Sequence, residues 1–130
     1  MADTSDMNTK ERRLEGKGAM DYDYVNDILF FKIINREYDR SLEFENMVID
    51  IDDEAFIVGL QIFDASKFLG ISKTNLKIKT WQFKAKIMPE SIEIRLTCEV
   101  NIRNKVRELN PIIVQQNTEQ LPNSQMIAAA

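Results

Sequence analysis

The sequence has no histidine, one cysteine, three prolines and four glycines in 130 residues. Each shortage excludes a class of function. Without histidine there is no imidazole to move protons near neutral pH, so Ser-His and Cys-His nucleophile pairs are out of reach. Cys98 alone closes no internal disulfide and builds no thiolate metal site. Four dispersed glycines leave no glycine-rich loop of the kind that cradles phosphate. No segment approaches the roughly 18 apolar residues of a membrane helix, so no membrane association is expected. No cofactor is expected, and an enzyme is not the favoured reading.

The 44% apolar content and the length fit one domain. Residues 1–19 mix Asp3, Asp6, Lys10, Glu11, Arg12, Arg13, Glu15 and Lys17 with no apolar core segment, which argues against a cleavable signal and for a cytoplasmic protein. Their composition predicts a flexible arm, and 116–130 a flexible tail. The domain is therefore expected at 20–115, with one part at 20–70 and a second hairpin with a final extended segment at 71–115.

Inside those limits the dominant period is two, the strand signal. Ile92, Ile94, Leu96, Cys98, Val100 and Ile102 alternate with Glu93, Arg95, Thr97, Glu99, Asn101 and Arg103, so one face is core and the other wet. Cys98 falls in the apolar register and reads as a buried small hydrophobe. Leu76 to Ile87 reads as the partner strand across a Met88–Ser91 turn, and its change of apolar phase predicts a bulge near Lys79-Thr80. Upstream, strands are expected at 27–34, 41–44, 47–52 and 56–63, with Gly59 permitting close backbone approach. Asp64 and Gly70 are expected to cap a brief helix, and 104–109 to form a last helical turn. The fold class is α+β and β-rich, an antiparallel meander of about six strands with one or two short helices.

Two segments carry a resemblance. Tyr22-Asp23-Tyr24-Val25-Asn26-Asp27 followed by Ile28-Leu29-Phe30, and Asp50-Ile51-Asp52 with Gly59 and then Asp64-Ala65-Ser66, stand in the order found in the YuzE-like family, domain of unknown function 2283. Residues 21–70 resemble that family. The resemblance implies a small fold of antiparallel strands without an assigned activity, and an antitoxin-like role beside small toxin-like partners. Ala55 stands where members often carry a turn glycine, and Gln61 replaces an acidic residue. An amide neither takes up a proton at neutral pH nor offers a formal charge to a metal.

Asp23, Asp27, Asp50 and Asp52 are the candidate cation ligands, and a divalent-cation-dependent hydrolase built on them is one reading of function. Asp50, Asp52 and Glu54 match positions 1, 3 and 5 of a calcium loop, but Ala55 and Gln61 occupy the places of its glycine and bidentate glutamate. The simpler reading of Asp50 and Asp52 is a solvated stripe alternating with Ile49 and Ile51.

Charge is unevenly laid out. Residues 1–70 hold 16 acidic and 8 basic side chains, and 71–130 hold 5 and 9. Lys77, Lys79, Lys84, Lys86, Arg95, Arg103, Lys105 and Arg107 make a candidate nucleic-acid-binding face, which predicts a nucleic-acid-associated regulator as the alternative function. Trp81 and Phe83 fall in the apolar register, so stacking platforms are missing there. The preferred expectation is a protein-interaction module that self-associates as a homo-oligomer or binds a protein partner, with charge complementarity orienting the contact.

Overall fold

The computed structural model describes residues 12–77 and 80–130. In chain order its elements are β1 (Arg13–Asp23), β2 (Ile28–Ile33), β3 (Arg40–Glu43), β4 (Met47–Ile51), β5 (Ile57–Ile62), α1 (Ala65–Leu69), α2 (Lys73–Leu76), β6 (Gln82–Ile87), β7 (Ser91–Ile102), β8 (Lys105–Leu109), β9 (Ile112–Gln116) and β10 (Ser124–Ala129). The fold is β-rich with short helices, but the six-strand antiparallel meander is corrected. Among the described residues ten strands run in the order β3-β4-β5-β2-β1-β10-β6-β7-β8, β9 joins β7, and β1 lies parallel to β10.

The strongest alternation makes the strongest hairpin. In β6–β7, Phe83 faces Leu96, Ala85 faces Ile94 and Ile87 faces Ile92, all of them buried. The first half is equally direct. Leu29, Phe31, Ile49, Leu60 and Ile62 share the buried face of β2, β4 and β5, while Lys32, Phe30, Asp50 and Gln61 point outward. The register slips between Asp50 and Ile51. At Gly59 the close approach is by a side chain rather than by backbone, because a Cβ there would lie 2.7 Å from an Asp50 carboxylate oxygen.

The tail and the part of the arm after residue 11 are corrected most, while residues 1–11 of the expected arm lie outside the described residues. Arg13–Asp23 and Ser124–Ala129 are strands, and residues 13–17 pair with 125–129. Their apolar residues are sparse: in β1 only Met20 is buried, and in β10 the ladder seats Met126 and Ala128 in the core. Backbone pairing rather than side-chain periodicity makes them strands. The second half of β1, Gly18–Asp23, pairs antiparallel with β2. One strand thus serves both halves of the sheet. The halves meet face to face where Phe31 of β2 stacks on Phe83 of β6, with ring centroids 4.1 Å apart.

Other expectations change for local reasons. Leu76 ends a helix, because Ser72 caps α2 by accepting the Asn75 amide at 3.2 Å, so β6 begins only at Gln82. Of the expected Lys79-Thr80 bulge, Lys79 lies outside the described residues and Thr80 belongs to no strand. Residues 105–109 form a strand rather than a helical turn, since Arg103 (φ 53°) and Asn104 (φ 64°) are both left-handed and close a two-residue hairpin. Asp64 precedes α1 in a left-handed conformation with no side-chain cap, whereas Gly70 ends the helix as expected.

The junction in β1 makes a testable contrast. A Cβ at Gly18 would lie 2.3 Å from the Phe31 ring, which the Phe83 stack holds in place, while one at Gly16 would meet Ile33 at an ordinary 3.4 Å. Gly18→Ala is expected to lower the unfolding free energy by about 1–3 kcal/mol and Gly16→Ala by under about 1, measured by urea denaturation.

Candidate functional site

The two family segments converge on one carboxylate. Asp27 sits at the end of the β1–β2 loop with φ 56°, and its side chain is buried. The Tyr22 hydroxyl donates to Asp27 Oδ1 at 2.6 Å, the Ser66 amide donates to the same oxygen at 3.0 Å, and the Ser66 hydroxyl donates to Oδ2 at 2.6 Å. The Ala65 amide donates to the Asp27 carbonyl at 2.9 Å. Burial alone would raise the Asp27 carboxyl, but the Ser66 and Tyr22 hydrogen bonds together hold it below its ordinary value. Burial first, and then the bond to Asp27, push the Tyr22 phenol up. The Asp27 site is a lock between the β1–β2 loop and the start of α1, with both carboxylate oxygens engaged.

The other candidate cation ligands each have a partner of their own. Asp23 accepts from the Asn26 side chain at 2.8 Å and amide at 3.0 Å, which lowers its carboxyl. Asp50 takes the Ser41 hydroxyl at 2.7 Å. Asp52 is 4% exposed rather than part of a solvated stripe. Its Oδ2 receives Arg36 Nε at 2.8 Å and a second guanidinium nitrogen at 2.5 Å, and its Oδ1 receives the Glu54 and Phe56 amides at 3.0 and 2.9 Å. Arg36 also reaches Glu54 at 2.6 Å, and its own pKa is raised chiefly by the Asp52 bond. Both Arg36 and Arg12 lie over the Phe56 ring, at 5.5 and 4.5 Å, and Arg12 donates to the Glu54 carbonyl. Ala55 takes φ 64° within this turn, the conformation a glycine would adopt without strain. Among the described residues, the three carboxylates that come within 4.8 Å of one another are Asp52, Asp53 and Glu54, and Arg36 already bridges two of them. The four aspartates are not brought into one cation site.

The basic residues divide as well. Lys84 lies opposite Arg95 and Lys86 opposite Glu93 on the outward face of β6–β7. Lys105 and Arg107 pair with Ile102 and Val100, on the other face of β7 from Arg95, and Arg103 sits in the hairpin turn. Lys77 ends α2 with its ammonium 4.3 Å from the Tyr24 ring centre, and Lys79 lies outside the described residues. A one-residue parity in β7 therefore splits the expected continuous face. Cys98 is buried, and burial pushes its thiol up to about 11, consistent with packing rather than nucleophilic chemistry.

Sequence reading missed the sheet edges. Among the described residues the edge strands are β3, β8 and β9. β3 carries Arg40 and Glu43, and β8 carries Lys105, Arg107 and Glu108, charges that oppose pairing with another chain. β9, Ile112-Ile113-Val114-Gln115-Gln116, carries none. Ile112 is 47% and Val114 60% exposed. Hydrogen bonds from Leu96 to the Pro111 carbonyl and from Asn117 to the Glu90 carbonyl fix the parity of the β7–β9 ladder. Residues 113 and 115 turn their backbone groups to β7, and 112, 114 and 116 turn theirs outward. The uncharged run Ile112–Gln116 was the available signal.

The Asp27 lock has a pH signature. A carboxyl held low in the fold contributes stability that is complete above the ordinary aspartate value, about 3.9, and is lost as pH falls through the lower folded value. Asp27→Asn is expected to cost about 1–2 kcal/mol at pH 7 and to flatten the acid limb of stability against pH, measured by denaturation from pH 7 to about pH 2.5.

The family model for "Protein of unknown function (DUF2283)" matches residues 19–66, the segment that contains Tyr22, Asp27 and Ser66. The chain is 30% identical over 105 residues to a Methanosarcina mazei protein named "Putative hypoxanthine phosphoribosyltransferase", covering 80% of this chain and 85% of that one. It is 26% identical over 113 residues to the uncharacterized protein MJ0789 of Methanocaldococcus jannaschii, covering 85% and 97%. Both matches are longer than the family segment. No solved structure matches. The chain belongs to the DUF2283 family, whose two sequence signatures meet here at the Asp27 carboxylate.

Proposed function

We propose that this chain is a non-catalytic, cytoplasmic protein-interaction module that binds its partner by strand addition. The observation that carries the reading is β9, an edge strand without charge, with outward backbone groups at Ile112 and Val114 and both side chains exposed. Main-chain hydrogen bonds supply affinity in this mode, and alternate side chains supply selectivity. The acidic groups support the same view, because Asp27 accepts three and Asp52 four hydrogen bonds that hold turns in place.

Phosphoribosyl transfer, the activity in the name of the Methanosarcina protein, requires a grip on a pyrophosphate, commonly through closely spaced backbone N–H groups. The glycines of this chain serve other ends: Gly16 and Gly18 lie in β1, Gly59 lies under Asp50, and Gly70 closes α1. We do not extend that activity to this chain. A nucleic-acid role has one observation in its favour. The β7–β8 ribbon carries Arg103, Lys105 and Arg107 at and beside its turn, and a two-stranded ribbon is an element that the major groove admits.

A tagged-chain capture from source cells with and without nuclease separates these readings. Wild type is expected to retain a protein in near-stoichiometric amount after nuclease, and Ile112→Lys with Val114→Lys to lose at least about tenfold of it, since added edge charge opposes pairing. Nucleic acid retained with a steep salt dependence, unaffected by the β9 substitutions and lost with Arg103→Glu and Arg107→Glu, would replace this reading with the second.

A further inference from the structure

We propose that the occupant of the β9 edge is a second copy of this chain, paired antiparallel about a two-fold axis at Ile113. The inference rests on the interaction-module reading and names its partner. Three observations select it. First, of the edge strands among the described residues, β3 and β8 carry charges and β9 does not, so charge opposes pairing at two edges and leaves the third free to pair. Second, Ile112 and Val114, like Gln116, turn their backbone groups outward at two-residue spacing, as an antiparallel ladder needs. A two-fold axis at Ile113 sets Ile112 of one copy against Val114 of the other, and each such pair exchanges two N–H···O bonds.

The third observation is apolar self-complementarity, and it chooses the register. Within the chain Val114 lies beside Glu93 and Ile112 beside Arg95, on the same outward face, and Glu93 and Arg95 are paired with each other at 2.8 Å. With the axis at Ile113, every row across the joined sheets runs Glu93, Val114, then Ile112 and Arg95 of the second copy. The exposed apolar side chains of the two copies therefore cover each other in both rows, and the flanking ion pair stays satisfied within each chain. With the axis at Val114, Val114 would face its own copy and each Ile112 would face Gln116, an apolar side chain against an amide. The Ile113 register is self-complementary in apolar contact, as an isologous interface requires.

The test uses the full chain. Sedimentation velocity from about 1 to 100 µM is expected to show the mass doubling with concentration, as suits a small strand-edge contact. Val114→Pro removes one outward N–H and leaves the β7 ladder intact, so it is expected to stay monomeric with an unchanged circular dichroism spectrum. Val114→Lys keeps the test open if the proline variant unfolds, and is expected to be monomeric too. For the register, Ile112→Cys and Val114→Cys chains are each expected to stay uncrosslinked under mild oxidation and to form a disulfide when mixed, the buried Cys98 taking no part. Crosslinking of Val114→Cys chains with one another would overturn the register. A wild-type chain that remains monomeric throughout would overturn the proposal. In that case the interaction-module reading still stands if the captured protein is a different chain lost with the β9 lysine variants, and it falls if no protein is captured.

Discussion

The fold depends on β1 being shared. Its first five residues lie parallel to β10 and its last six lie antiparallel to β2, so a single strand ties the first meander to the second hairpin. Small antiparallel sheets are marginal alone and need a packed face. Here each supplies the other's, with Phe31 on Phe83 and with Leu29, Ile49, Leu60, Leu96 and Met126 buried. Gly18 is where this constraint is tightest, because the strand passes directly under the Phe31 ring.

That architecture gives the family's signatures a structural task. Ser66 lies 39 residues from Asp27 but joins it and Tyr22 in one hydrogen-bonded set, which fixes the loop that leaves β1 and the start of α1. Asp52 does the same for the turn after β4, aided by Arg36 and the Phe56 ring. Asp52, with four donors on its two oxygens, has its acceptor sites filled, and Asp27, with three, is well solvated by the protein.

Where burial and period coincide, the chain was readable. The alternation of Ile92 to Val100, the turn after Ile87, and strands β2, β4 and β5 all follow from residues whose faces differ in polarity. β1 and β10 were not readable, because Gly16, Gly18, Ala128 and Ala129 carry little pattern and their pairing is between chain segments more than 100 residues apart. α2 was hidden by a local competitor, the Ser72 cap, and β8 by a left-handed Arg103-Asn104 turn, which alternation does not encode. The basic side chains were all visible as charge, yet their separation onto two faces of β7 depends on register, a property of the assembled sheet.

The functional account comes down to the free edge of β9 and the parity of its backbone groups. Amide hydrogen exchange, resolved by residue and followed against protein concentration, tests this most directly. Exchange at Ile113 and Gln115 is predicted to be slow at every concentration, while Ile112 and Val114 exchange fast in dilute solution and become protected as the chains associate. Uniform protection of all four amides at high dilution, or fast exchange at Ile112 and Val114 at every concentration, would contradict the account.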